Sequence, residues 1–276
     1  MRVDFTKMHG VGNDFVVFEA PADEKLLSAE ALRRLADRRT GIGFDQALAL
    51  ARPRSEGTEV FYRIFNADGD EVEQCGNGAR CIAALLHHRG RARNGAIALE
   101  SPAGVVQARI GSDGEVSVDM GVPNFDPRSL PFSAPHEADA YALEVDGRTV
   151  QIGAVSIGNP HAVLGVEDVE SAPVGTLGPK IERHPRFPRR VNVGFLEIVS
   201  REEVRLRVYE RGAGETRSCG TGACAAVAVG YRRARLGAEV RVGVRGGALR
   251  VNWAGPGEHI WLSGPTEISF EGHVEV

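Results

Sequence analysis

The pentapeptide Cys-Gly-x-Gly-Ala occurs twice, as Cys75-Gly76-Asn77-Gly78-Ala79 and as Cys219-Gly220-Thr221-Gly222-Ala223, 144 residues apart, each time opening an alanine-rich segment. The duplication reaches well beyond the cysteines. At the same offset Val60, Phe65, Asn66, Gly69 and Glu71 fall on Val204, Tyr209, Glu210, Ala213 and Glu215, and further upstream an offset of 146 pairs Asn13 with Asn159, Leu35 with Ile181 and Gln46 with Asn192. A unit this long that occurs only twice predicts two similar domains rather than a stacked array, and 276 residues is long for one core. The boundary is expected in residues 121–127, where Pro123 and Pro127 interrupt a strand pattern. The chain then divides into residues 1–120, carrying Cys75, with residues 264–276 returning to them, and residues 121–263, carrying Cys219.

Strands dominate both halves. Residues 60–65, 104–110, 115–120, 204–209, 240–244 and 248–253 are β-branched or alternating runs bounded by Gly, Asp or Pro, which read as antiparallel meanders. Helices are few. Residues 28–39 carry Ser28 as N-cap, Leu32, Leu35 and Ala36 at helical spacing, and Gly41 as a stop; residues 177–184 occupy the corresponding place in the second half. The remaining two follow the cysteine motifs at residues 79–88 and 223–231, the second apolar nearly all round and therefore expected in a domain interior. The fold class expected is α+β: two pseudo-symmetric domains, each an antiparallel barrel-like sheet wrapped around a central helix, with the active site in the interdomain cleft.

The cysteines carry the chemistry. A thiol at a helix N-terminus sits beside unpaired N–H groups and the positive end of the dipole, which favours the thiolate and lowers its pKa below about 8.5. The glycines of both motifs let the backbone approach a ligand, and the same N–H groups can hold a carboxylate. With one such thiol on each face of an α-carbon, one sulfur removes the proton and the other returns one from the opposite side, inverting the centre. Cys81 and Cys224, on apolar helix faces, read instead as inert core thiols, and His87 and His88 as solvated helix-end residues.

Two extended segments, Asn66-Ala67-Asp68-Gly69-Asp70-Glu71-Val72-Glu73-Gln74-Cys75-Gly76-Asn77-Gly78 and Glu210-Arg211-Gly212-Ala213-Gly214-Glu215-Thr216-Arg217-Ser218-Cys219-Gly220-Thr221-Gly222, resemble the paired signatures of the diaminopimelate epimerase family. The islands Lys7-Met8-His9-Gly10-Val11-Gly12-Asn13-Asp14-Phe15, Gly158-Asn159-Pro160-His161 and Arg190-Val191-Asn192-Val193-Gly194-Phe195 are similar as well. The resemblance implies a cofactor-independent isomerase interconverting LL- and meso-2,6-diaminopimelate for lysine and peptidoglycan precursors. It implies Cys75 and Cys219 as the catalytic pair, and Gly76-Asn77 and Gly220-Thr221 as the cradle for the reacting carboxylate. Asn13, Gln46, Asn66, Asn159, Asn192 and Arg211 then hold the substrate, while His161 and Glu210 tune the thiols, Glu210 also lying at the substrate. A homodimer is implied too.

Other classes fit less well. The formal charge of -4 offers no basic field for nucleic acid, and no apolar run reaches the ~20 residues that cross a bilayer. With no secretory signal at the start, a cytoplasmic protein with reduced thiols is expected. The cysteine spacings lack the close pairing of a zinc site. A thiol–disulfide exchanger using Cys75 and Cys219, or another two-cysteine amino-acid racemase, are the alternatives; the first leaves the asparagines and Arg211 without a purpose.

Overall fold

A computed structural model of the chain describes residues 2–20, 27–72, 75–91 and 95–276. Glu73 and Gln74 of the first signature lie outside the described residues. The chain divides into two compact units, Met1–Val118 with Gly264–Val276, and Asp119–Ser263.

In the first unit β1 (Arg2–Gly10) pairs antiparallel with β2 (Asn13–Glu19), and α1 (Ala29–Ala36) leads to β3 (Gln46–Ala51), which lies parallel to β2. β3 pairs antiparallel with β4 (Val60–Asn66), and β4 with the short β5 (Glu71–Val72). α2 (Gly76–His88) then crosses to β6 (Ala96–Ser101), parallel to β4, and β7 (Gly104–Ile110) and β8 (Val116–Asp119) follow as antiparallel neighbours.

The second unit repeats this order. β9 (Tyr141–Val145) and β10 (Arg148–Ser156) pair antiparallel, β10 pairs with β11 (Pro160–Gly165), and α3 (Val174–Glu182) leads to β12 (Asn192–Ile198), parallel to β11. β13 (Glu203–Glu210) pairs antiparallel with β12 and with β14 (Gly214–Thr216). α4 (Gly220–Arg232) crosses to β15 (Glu239–Val244), parallel to β13, before β16 (Gly247–Asn252) and β17 (Trp261–Gly264). Finally β18 (Glu267–Glu275) pairs antiparallel with β1.

The sheets are therefore mixed, where the strand runs alone predict antiparallel meanders. Each helix is a crossover that returns the chain in its original direction, and such a connection produces a parallel pair. The duplication holds to the level of register: Phe15 is the Cα partner of Gln46 across β2 and β3, as His161 is of Asn192 across β11 and β12. The change of offset falls in the turn between the next two strands, residues 52–59 in one unit and 199–202 in the other.

Helix ends differ from expectation for local reasons. Ser28 Oγ caps α1, accepting from Ala31 N at 3.1 Å. The helix stops at Ala36 rather than at residue 39, because the Asp37 carboxylate accepts from the N–H groups of Arg39 (2.9 Å) and Thr40 (2.7 Å) and turns the chain away. α3 starts at Val174, three residues before the expected start, and α2 and α4 begin at Gly76 and Gly220. The glycines of each cysteine motif thus form a first helical turn, with Cys75 and Cys219 as N-caps. Residues 121–127 are pinned within the second unit: Asn124 exchanges backbone hydrogen bonds of 3.0 and 2.8 Å with Ser156, and Phe125 lies 6.3 Å from Trp253, ring centre to ring centre.

Each unit has its own apolar cluster. α1 sends Leu32 and Leu35 against Phe18 and Phe44, and α3 packs Ile181 among Phe132, Phe187 and Phe195. α2 buries Ile82, Leu85 and Leu86 completely, and α4 is buried at every residue from Gly220 to Gly230. Each large apolar side chain so placed contributes about 1.5–3 kcal/mol of transfer free energy. Close approach of α4 to its sheet requires glycine: a Cβ at Gly153 of β10 would stand 2.4 Å from Val229 Cγ1. Among the described residues, no helix is long and apolar enough to cross a membrane.

Candidate active site

Each unit holds one cysteine in the same local setting. At Cys75 the backbone is extended and Sγ accepts from Gly78 N at 3.4 Å; at Cys219 the backbone is again extended and Sγ accepts from Gly222 N at 3.4 Å. The first-turn N–H groups of both helices have no partner four residues back, which is the geometry that binds carboxylates and thiolates. Cys75 is half-buried, whereas Cys219 is only 5% exposed.

In the first unit Asn13 Oδ1 lies 3.9 Å from Cys75 Sγ and accepts from Asn77 Nδ2 at 3.2 Å. Asn13 Nδ2 donates to Asp45 Oδ2 at 3.0 Å, while Asn77 Oδ1 accepts from Arg80 Nη2 at 2.6 Å. Arg80 is fully buried and also donates to the Pro265 carbonyl at 3.1 Å. Gln46 Nε2 donates to Asn66 Oδ1 at 2.9 Å, so these two candidates form a separate pair on β3 and β4. Behind Asn13, Lys7 Nζ donates to the Asp14 carboxylate and the Gly43 carbonyl, and Arg38 reaches both Asp14 (2.8 Å) and Asp45 (2.7 Å). Burial raises the Asp14 carboxyl, but the bonds from Arg38 and Lys7 outweigh it and hold the group well below the usual carboxylate range.

The second unit gathers Asn159, His161, Asn192 and Arg211. His161 is fully buried; its Nε2 lies 2.9 Å from Asn159 Oδ1 and 3.5 Å from Asn192 Nδ2. Burial first, and then the Arg211 charge, push this imidazole down to about 3, so it is neutral at pH 7 and carries one N–H. The shorter contact assigns that hydrogen to Nε2, leaving Nδ1 as a buried acceptor with no partner among the described residues. Asn192 Oδ1 accepts from the Arg211 backbone N–H at 2.8 Å, fixing the turn after β13, and the exposed Arg211 guanidinium donates to the Arg189 carbonyl at 3.2 Å.

Cys219 departs from the expectation of a low-pKa helix-cap thiol. Burial comes first and the Glu210 charge second in raising it well above its ordinary value, against the bonds from Thr221 and Gly222 that lower it. Thr221 Oγ1 lies 3.6 Å from the sulfur, and Thr216 Oγ1 donates to the Glu210 carboxylate. A half-turn of helix dipole is worth less than the desolvation of a thiolate beside an anion. Cys219 is therefore a thiol at neutral pH.

Cys81 and Cys224 are buried on α2 and α4, and burial pushes Cys81 up to about 12. His87 and His88 are exposed. Sequence reading passed over Arg80 and Asp45. A lone arginine inside an apolar helix, directly after Gly-Asn-Gly-Ala, was the available signal for the first; Asp45 carries none, because only the parallel pairing of β2 and β3 brings it beside Asn13.

The family model for diaminopimelate epimerase matches residues 5–125 and 153–268. Diaminopimelate epimerases of Alkalilimnicola ehrlichii and Pseudomonas syringae pv. tomato are 52% and 49% identical to the chain, each alignment covering 100% of both proteins. In fold, the chain is similar to a hydroxyproline epimerase from Agrobacterium vitis, with a TM-score of 0.70 and 18% identity over 99% of this chain and 92% of that one. It is similar too to a phenazine biosynthesis protein of the PhzF family from Bacillus anthracis, with a TM-score of 0.69 and 16% identity over 100% of both chains. Two α+β units repeated in register, each with a glycine-flanked cysteine capping its buried helix, and full-length identity near one half to these relatives identify the chain as an isomerase belonging to the diaminopimelate epimerase family.

Proposed function

We propose that the protein interconverts LL- and meso-diaminopimelate by removing the α-proton with one of Cys75 and Cys219 and returning a proton from the other, with no cofactor or metal. The observation that carries this reading is the matched pair of cysteine N-caps, each opening a helix whose first-turn N–H groups suit a carboxylate. One sulfur, as thiolate, takes the α-proton; the C–H electron pair remains on carbon, beside a carboxylate whose growing charge the N–H groups of Gly76-Asn77 and Gly220-Thr221 stabilise. The other sulfur, as thiol, gives its proton to the opposite face. One proton is removed and one returned, and the sulfurs exchange protonation states. The reverse direction starts from the exchanged form, so the pair titrates as a unit.

Cys219, kept protonated by burial and by Glu210, supports the donor role in one of the two forms. Asn13, Gln46, Asn66, Asn159, Asn192 and Arg211 offer amides and one cation to the distal amino-acid end of the substrate, and His161 and Glu210 set the electrostatics around the thiols. The product serves lysine and peptidoglycan precursor synthesis, in the cytoplasm, where thiols stay reduced. In deuterated water under reducing conditions, the purified protein is expected to place solvent deuterium at the inverted α-carbon without added pyridoxal phosphate or metal. Absence of turnover there sinks the reading.

The proposal extends to a homodimer. β18 is exposed along Glu267–Glu271, and Ile268 and Phe270, two residues apart and so on one face of the strand, are 37% and 49% exposed. Apolar side chains on such a strand mark an association surface. Phe270→Asp is expected to convert a dimer to a monomer in sedimentation velocity; an unchanged dimer excludes this face.

A further inference from the structure

Side-chain amides are usually ambiguous partners, because one end donates and the other accepts and the group can turn over. The Asn13–Asn77 pair is an exception. A carboxylate can only accept, so Asp45 Oδ2 must face Asn13 Nδ2, at 3.0 Å. A guanidinium can only donate, so Arg80 Nη2 must face Asn77 Oδ1, at 2.6 Å. With both outer ends assigned, the inner contact has one polarity, Asn77 Nδ2 to Asn13 Oδ1 at 3.2 Å, and it is the oxygen of Asn13 that lies toward Cys75 Sγ at 3.9 Å.

We propose that Asp45 is a positioning residue: by holding the Asn13 amide through its Nδ2, it keeps an acceptor oxygen against Cys75 and so favours the protonated form of that thiol. Asp45 is itself held, since its second oxygen accepts from Arg38 at 2.7 Å and its Oδ2 also accepts from Asp14 N at 3.1 Å. The buried Lys7–Asp14 pair anchors the Arg38 guanidinium from the other side. An acceptor facing the sulfur stabilises S–H and opposes S⁻, whereas an amide NH₂ in the same place would do the reverse. The arrangement is confined to the first unit: Arg80 has Cys224 at its repeat position, and Cys219 meets Glu210 and Thr221 instead.

Tyr62 on β4 and Cys81 on α2 are among the titratable groups that interact with the Cys75 sulfur, both raised chiefly by burial and so neutral at pH 7. The Arg80 guanidinium holds Asn77 Oδ1. The inference rests on the reading of Cys75 as a reactive thiol, but its test does not require diaminopimelate.

Iodoacetamide alkylation of the full-length protein, followed by peptide mass spectrometry as a function of pH, reads Cys75 and Cys219 separately. Asp45→Ala removes the acceptor of Asn13 Nδ2 and leaves the Asn13 amide held by Asn77 alone, and the midpoint of the Cys75 profile is expected to move to lower pH by about one unit, with the Cys219 profile in place. Asp45→Asn retains one oxygen for Asn13 Nδ2 and Asp14 N, while the exposed Arg38 can swing aside, so it is expected to restore the wild-type midpoint. An unmoved Cys75 midpoint in Asp45→Ala, failure of Asp45→Asn to restore it, or an equal shift at Cys219 overturns the proposal. Loss of isotope exchange in the wild-type protein would instead count against the epimerase reading alone.

Discussion

Cys75→Ala and Cys219→Ala are each expected to lower diaminopimelate epimerisation by at least about 10²–10⁴-fold, the range that one positioned acid or base supplies. Neither sulfur can substitute for the other, because inversion needs a proton taken on one face and given on the opposite one. Cys81→Ala and Cys224→Ala remove thiols buried on helix faces, and are expected to leave turnover within a few-fold while costing some stability through the cavity they open. Steady-state rates for the four variants, each with a melting curve, separate the two classes. Equal losses at all four positions would mean that the cysteines act together as packing, and the two-thiol mechanism would have to be given up.

The second large effect lies at His161. An unfolded chain binds a proton at this imidazole near pH 6.5, but the folded chain refuses it until about 3, because the buried ring cannot be charged. Since the folded value is depressed, stability is fully present above pH 6.5 and is lost as pH falls toward the folded value. The slope is about 1.4 kcal/mol per pH unit, and between about pH 6.5 and 5 few carboxyl groups add to it. His161→Gln removes the titrating group. In urea unfolding at these two pH values, the wild-type protein is expected to lose about 2 kcal/mol more than the variant. Parallel losses in both proteins would falsify a neutral, buried His161.

Several features were readable before any coordinates. The paired motifs and matched offsets predicted two like domains, and the described strands repeat in the same order and register in both units. Ser28 as a cap, the buried faces of Leu32 and Leu35, and the burial of Cys81 and Cys224 were also legible, because each follows from spacing along one element. Helix ends were less so. Nothing in the periodicity of residues 28–39 announces that Asp37 will turn its carboxylate back onto the Arg39 and Thr40 N–H groups.

What the sequence determined by itself was the duplication and the family, since motifs and periodicity are properties of residues close together in the chain. Tertiary structure alone decided the electrostatic character of each site. Glu210 and burial raise Cys219 despite its helix cap, and Asp45 reaches Asn13 across 32 residues of intervening chain. Charge, desolvation and hydrogen bonding act through space over a few ångströms, so their sum at a sulfur depends on which strands lie side by side, and no spacing along the chain encodes it.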